Sequence, residues 1–318
     1  MYIAQAYKAL NEWWRYVIGI IIAVIGFFVF SVPHIIGIFM KRMEAAVDLT
    51  RLDDVNYIMS LFDSNINLVF ILLPFAGGLI FLLFAVKFLH KQTITSLTTS
   101  RKKIDWKRIW FAFFFWGIVS SGMVFLDYYL APENYLDNFE LNRFLVLALI
   151  AIILLPFQTS FEEYLFRGYL MQGIGVIAKN KWVPLIATSI IFGLLHIANP
   201  EVEKLGYTIM IYYIGTGLFL GIVTLMDEGM ELALGFHAAN NLFTALLVTA
   251  NWTALQTHSV FKDIAEPDLG FIDLTLPVFI IFPILLFIFS RVYKWTNWKE
   301  KLFGKVVEPP KENYKIID

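Results

Sequence analysis

Eight stretches of nearly unbroken apolar residues divide the chain, at about 17–40, 66–89, 109–130, 144–177, 182–198, 205–226, 229–251 and 274–293. A helix needs ~20 such residues to cross ~30 Å of hydrocarbon, so the pattern predicts an all-α, polytopic membrane bundle of about eight transmembrane helices. The fourth stretch is long for one crossing and the fifth is short. Val17 to Phe39 carries no charge; the run exceeds the roughly 7–15 residues of a signal-peptide core and is read as the first span. Ahead of it, Tyr2, Ala6, Leu10, Trp13 and Trp14 share roughly one helical face. Residues 1–16 are therefore expected to lie as an amphipathic segment at the membrane interface, with the tryptophans at headgroup depth. Residues 17–293 read as a single membrane domain. The polar stretch 294–318, with Pro309-Pro310, reads as a cytosolic tail.

Composition agrees with this pattern. The 318 residues are 58% hydrophobic and only 16% charged, with a mean hydropathy of +0.68, where soluble domains carry about 25% charged residues. A net charge of -1 gives no support to a nucleic-acid partner, and the absence of cysteine excludes disulfides, thiolate metal sites and cysteine nucleophiles. Orientation follows from lysine and arginine. With the N-terminus inside, the segments 1–16, 90–108, 178–181, 227–228 and 291–318 hold most of the basic residues, whereas the opposite loops carry few (Lys41, Arg42, Arg51, Arg143, Lys204 and Lys262). The positive-inside rule then places both termini in the cytoplasm. The short, compact chain points to a bacterial host and to its inner membrane.

Against this background three charges stand out in the fourth stretch: Glu162, Glu163 and Arg167. Each costs about 2.5–3.5 kcal/mol in a membrane helix on the insertion scale, and the default reason for such a cost is a functional site. Glu163 and Arg167 are i,i+4 neighbours and should pair. Glu162 is rotated by about 100° and is left free for chemistry. Pro156 removes one backbone hydrogen bond just upstream and predicts a local kink. In the fifth stretch Phe192 precedes His196 by one turn, and in the seventh His237 and Asn241 share a helix face. Each polar group alone could be a packing device between helices. Their co-occurrence on three neighbouring spans is harder to explain by packing. Gly217, Gly221, Ser189 and Gly193 mark positions where helices can approach closely.

Glu162-Glu163-x-x-x-Arg167, Phe192-x-x-x-His196 and His237-x-x-x-Asn241 resemble, in order, the three signature motifs of the CAAX protease and bacteriocin-processing (CPBP, or Abi) family of intramembrane endopeptidases, which includes the type II CAAX prenyl proteases. The resemblance covers about residues 144–251, the expected protease core. It implies that Glu162 and His196 activate a water, that His237 and Asn241 stabilise the oxyanion, and that Glu163 and Arg167 support the site. It further implies a membrane-associated peptide or a lipidated protein tail as substrate, reached through a hydrated pocket expected to open towards the inner face. Family members are often labelled metalloproteases, and Glu162, His196 and His237 are the ligands a zinc ion would take, although the glutamate–histidine scheme needs no metal. Two alternatives remain: a non-catalytic binding or immunity protein of the same fold, and a transporter relaying protons through the same residues.

Depth poses one difficulty. At 1.5 Å per residue, His237 stands about 12 Å and His196 about 21 Å from the start of their spans, while Glu162 is about 27 Å from Phe144. The three meet only if the long fourth helix projects beyond the bilayer and the fifth starts low beside it.

Overall fold

The computed structural model describes residues 1–43, 48–51, 55–266 and 270–310. Residues 311–318 of the expected tail lie outside the described residues. The helices are α1 (Trp13–Met43), α2 (Val55–Ser60), α3 (Ser64–Leu89), α4 (Ile94–Thr98), α5 (Trp106–Leu130), α6 (Leu141–Ala178), α7 (Trp182–Leu194), α8 (Pro200–Leu205), α9 (Tyr207–Asp227), α10 (Glu231–Leu247), α11 (Leu274–Val292) and α12 (Trp298–Phe303). Six of these (α1, α3, α5, α6, α9 and α11) are long and apolar enough to cross a membrane. The other two expected spans form helices of 13 and 17 residues, α7 and α10. At about 20 and 26 Å, both fall short of the ~30 Å hydrocarbon layer.

Both short helices end for local reasons. Asn199 precedes Pro200 and adopts ψ 144°, because the proline ring disfavours a helical residue before it. The chain turns over His196–Asn199 and restarts as α8. After α10, Val248 turns extended (φ -141°, ψ 141°). Here begins a feature the apolar pattern did not signal, a three-stranded sheet in the order β1-β3-β2. Its strands are β1 (Tyr135–Asp137), β2 (Val248–Ala250) and β3 (Phe261–Asp263). Lys262 of β3 pairs antiparallel with Leu136 and parallel with Thr249.

The long helix α6 stays helical through Pro156 and loosens into a π turn over Tyr164–Leu170. It reverses at Lys179, which takes a left-handed conformation (φ 55°), and α7 runs back beside it, with Asn180 Oδ1 accepting the Val183 N–H at 2.9 Å. Measured from this reversal, Glu162 lies about 24 Å from Ala178 and His196 about 21 Å from Trp182. The depths thus converge as the long-helix arrangement requires.

Small residues set the closest helix contacts. A Cβ placed on Gly77 of α3 would fall on the carbonyl oxygen of Gly26 in α1, and one on Gly217 of α9 would lie 2.8 Å from the Ser189 carbonyl in α7. At the opposite end of α10 from β2, charges gather. Arg101 Nη2 lies 2.9 Å from Asp227 Oδ2 and its Nη1 3.1 Å from Glu231 Oε2, Arg108 also pairs with Asp227, and Lys301 donates to the Met226 carbonyl at 2.7 Å. Segments 90–108, 227–228 and the described part of the last one, 291–310, all grouped above on one side, therefore meet at one end of the molecule. The N-terminal segment joins them from inside. Ile3–Lys8 is a 3-10 turn with Tyr2, Ile3 and Ala6 buried, and the Tyr2 hydroxyl lies 2.6 Å from the Leu97 carbonyl and 3.0 Å from that of Arg167. The expected amphipathic face is thus turned inward, whereas Trp13 and Trp14 are exposed.

If the Gly26–Gly77 contact sets the α1–α3 spacing, Gly77→Ala should lower the thermal stability of the detergent-solubilised protein by about 1–3 kcal/mol, the usual cost of overpacking. Gly122→Ala, where an added Cβ meets nothing within 4 Å, should not. Equal melting temperatures for the two variants would refute this.

Candidate active site

The polar residues of three helices converge on one buried carboxylate. Glu163 and Arg167 are 0% and 1% exposed, and Arg167 Nη1 donates to Glu163 Oε1 at 2.8 Å. The i,i+4 spacing on α6 makes the pair geometrically available. Arg167 Nη2 also donates to the Gly217 carbonyl at 3.2 Å, and the guanidinium lies over the Phe192 ring at 4.4 Å. Phe192, one turn before His196, thus forms part of the arginine's enclosure. His237 completes the group, with Nδ1 2.8 Å from the same Glu163 Oε1. A carboxylate can only accept here, so Nδ1 carries the hydrogen, and this fixes the ring with Nε2 pointing at Glu162, 3.6 Å from Oε2.

Glu162 faces the other way, as its rotation on α6 dictates. Its Oε1 accepts from Gln158 Nε2, and Gln158 Oε1 accepts in turn from Asn241 Nδ2 at 2.9 Å. Asn241 is oriented from behind, since Asn240 Nδ2 donates to its Oδ1 at 3.2 Å and Trp116 Nε1 donates to Asn240 Oδ1 at 3.1 Å. With its carbonyl occupied, the Asn241 amide turns its N–H bonds towards Gln158 and the open space beside Glu162. Gln158 was not singled out from the sequence, although a polar residue one turn before Glu162 on an apolar helix is a legible signal.

His196 lies across a cavity of about 780 Å³ that Glu162, Gln158 and Asn241 also line. Its Nδ1 donates to the Phe192 carbonyl at 2.8 Å, leaving Nε2 as the available acceptor of the neutral ring. Its ring stacks on Tyr213 at 4.5 Å and 22°. His196 forms no hydrogen bond with Glu162; the two groups share the cavity without touching. Glu201 of α8 lines the same space. Its Oε1 accepts the Ala254 N–H at 2.8 Å, and burial pushes its carboxyl above the ordinary range, opposed by that N–H and by His196.

The cavity wall uses the half of α10 that leads into β2, including Thr244, then Val248 and Thr249 of β2 itself, together with Trp252 and Asp263. It therefore lies away from the Arg101–Asp227 end. The cavity is thus not at the basic end expected for its opening, because α7 and α10 both stop short on the sheet side and leave their space to a loop. For zinc, the fit is poor: among the described residues no group of three His, Asp or Glu side chains is arranged to hold a metal ion, and Glu162, His196 and His237 form no such group.

Removing the arginine should expose what the buried pair contributes. Arg167→Met leaves Glu163 without its cation and is expected to cost about 3–5 kcal/mol in stability, and adding Glu163→Gln should recover part of it. Thermal unfolding of the single and double variants checks this; a single variant as stable as the parent would refute the pairing.

Comparison with known proteins bears on the same residues. The family model for Type II CAAX prenyl endopeptidase Rce1-like matches residues 141–243, the stretch from the start of α6 to near the end of α10. An uncharacterized protein of Bacillus subtilis (strain 168), YyaK, is 30% identical over 243 residues, covering 75% of this chain and 79% of that protein. No solved structure matches. The family match spans every polar side chain of the α6, α7 and α10 cluster and the likeness to the Bacillus protein extends well beyond it, so the chain belongs to the Rce1-like family of type II CAAX prenyl endopeptidases.

Proposed function

We propose that the protein is an intramembrane endopeptidase that hydrolyses peptide bonds of membrane-associated peptides or protein tails, with a water activated between Glu162 and His196. The observation that carries this reading is the pair of acceptors, Glu162 and His196 Nε2, lining one cavity, with Gln158 fixing Glu162 and the Phe192 carbonyl fixing the His196 ring. Glu162 takes a proton from the water, whose oxygen attacks the substrate carbonyl carbon. The oxyanion that forms accepts from the Asn241 amide, held in place by Asn240 and Gln158, and from His237 Nε2 when that ring, whose Nδ1–H is already given to Glu163, carries a second proton. The proton held on Glu162 then passes to the leaving nitrogen as the carbon–nitrogen bond breaks. Glu163 and Arg167 act indirectly, by fixing the His237 ring. None of these steps is routed through a metal.

Family membership supports CAAX-type protease activity at the level of reaction class, and the apolar helices support a multi-pass integral membrane protein. Under the positive-inside rule the Arg101–Asp227 end faces the cytoplasm with both termini, and the cavity then occupies the opposite half of the molecule. Because the chain has no cysteine, sidedness is directly measurable. A membrane-impermeant maleimide applied to intact cells should label Asn251→Cys and spare Lys103→Cys; the reverse pattern would invert the orientation.

Glu162→Ala and His196→Ala should each lower cleavage about 10²–10⁴-fold, the range for loss of a general acid–base group. Asn241→Ala should lower it about 10²–10³-fold, as for loss of an oxyanion donor. A comparative peptidome of cells carrying the parent or Glu162→Ala at equal expression checks the first. A membrane-associated precursor accumulating uncut only in the variant is the expected result, and indistinguishable peptidomes would favour a non-catalytic binding or immunity protein.

A further inference from the structure

The cavity is charged in one sense only. Glu162, Glu201 and Asp263 line it, and among the described residues neither lysine nor arginine does. The buried cation of α6, Arg167, is spent on Glu163 and the Gly217 carbonyl. Two of the acidic groups retain an oxygen for a ligand. Glu162 is 7% exposed, and its Oε2, like Glu201 Oε2, is buried without a hydrogen-bond partner. In Glu201 the Ala254 N–H holds Oε1 and leaves Oε2 unclaimed.

Position matters as much as charge. Glu201 follows His196 by little more than one turn of chain, through Asn199 and Pro200, and Tyr213 packs on the His196 ring in the same wall. The opposite wall, from α1 and α3, is apolar, with Val24, Phe28 and Phe75. Val24 and Phe28 are also exposed on the outer surface of α1. A substrate that fills this space meets hydrocarbon on one side and unpaired carboxylates on the other. An aspartate, a glutamate or a free C-terminal carboxylate beside the bond would meet no cation in the lining. Burying such a charge unpaired is strongly unfavourable, whereas an ammonium or guanidinium group would satisfy the free oxygens.

We propose that Glu201 determines specificity, selecting peptides with a lysine or arginine side chain close to the bond that is cut and rejecting anionic ones. This rests on the protease reading for the cut itself, but the charge preference belongs to the cavity and can be read separately.

The test uses the full chain in proteoliposomes and fluorogenic peptides of one apolar frame, carrying Lys, Gln or Glu at each position flanking the bond. At the best position the Lys peptide should exceed the Glu peptide in kcat/KM by about 10-fold or more, the scale of one screened charge interaction. Glu201→Gln, which keeps an oxygen for the Ala254 N–H, should shrink that ratio to about 2-fold. The same peptides, fluorescently labelled, are then bound to the uncleaving Glu162→Ala protein, with and without Glu201→Gln, and read by anisotropy. Lys-selective binding that Glu201→Gln abolishes supports the proposal even if no peptide is cut, in which case the protease reading alone fails. Cleavage or binding indifferent to charge, or a preference that survives Glu201→Gln, overturns the proposal and leaves the protease reading standing.

Discussion

A carboxylate with no exposed surface is the constraint around which this molecule is arranged. Removing an ion from water costs several kcal/mol even after relaxation, and Glu163 incurs that cost completely. Its compensation comes from Arg167 on the same helix and from His237 on α10. Arg167 must in turn be enclosed, and Phe192 of α7 and the Gly217 carbonyl of α9 do so. Four helices thus have their relative positions set by one acid, and the positions that satisfy it also aim His237 at Glu162. The small residues of α7 and α9 belong to the same arrangement, because Gly217 can offer its carbonyl to Arg167 only where α9 lies close against Ser189.

The second organising fact is that two helices stop early. Had α7 and α10 continued to full length, their side chains would occupy the space that the cavity takes. Instead Pro200 turns the chain after His196 and β2 draws it aside after Leu247. The freed volume is bounded by polar side chains from the interrupted helices and by apolar ones from the uninterrupted α1 and α3. An amphipathic chamber inside an apolar bundle follows directly from unequal helix lengths.

Much of this was legible in the sequence, and the limits have physical causes. The charges of Glu162, Glu163 and Arg167 are conspicuous because lipid makes them costly, and helical periodicity alone assigns the pairing of Glu163 with Arg167. The long α6 and its reversal could be anticipated from length arithmetic. The sheet could not, since strands of three residues are too short to establish a two-residue period. Glu201 and Asp263 were invisible for a related reason: they reach the cavity only because a loop remote in sequence returns over it, through the Ala254 N–H and the β3 pairing. The inward turn of residues 2–6 was likewise hidden, because an amphipathic face reads the same whether it meets lipid headgroups or the protein's own interior.

That inward turn bears on the order in which the chain can assemble. Tyr2 is held by the carbonyl of Arg167, 165 positions later. At about 5–20 residues per second of synthesis, the partner of Tyr2 follows it by roughly 8–33 seconds. Throughout that interval α1 can enter the bilayer, but of the two carbonyls around the Tyr2 hydroxyl only that of Leu97 can yet be present, so the segment ahead of α1 has an incomplete place to dock. Seating of residues 2–6 is therefore a late step of biogenesis, which inserts earlier-made residues beneath a site built from much later ones.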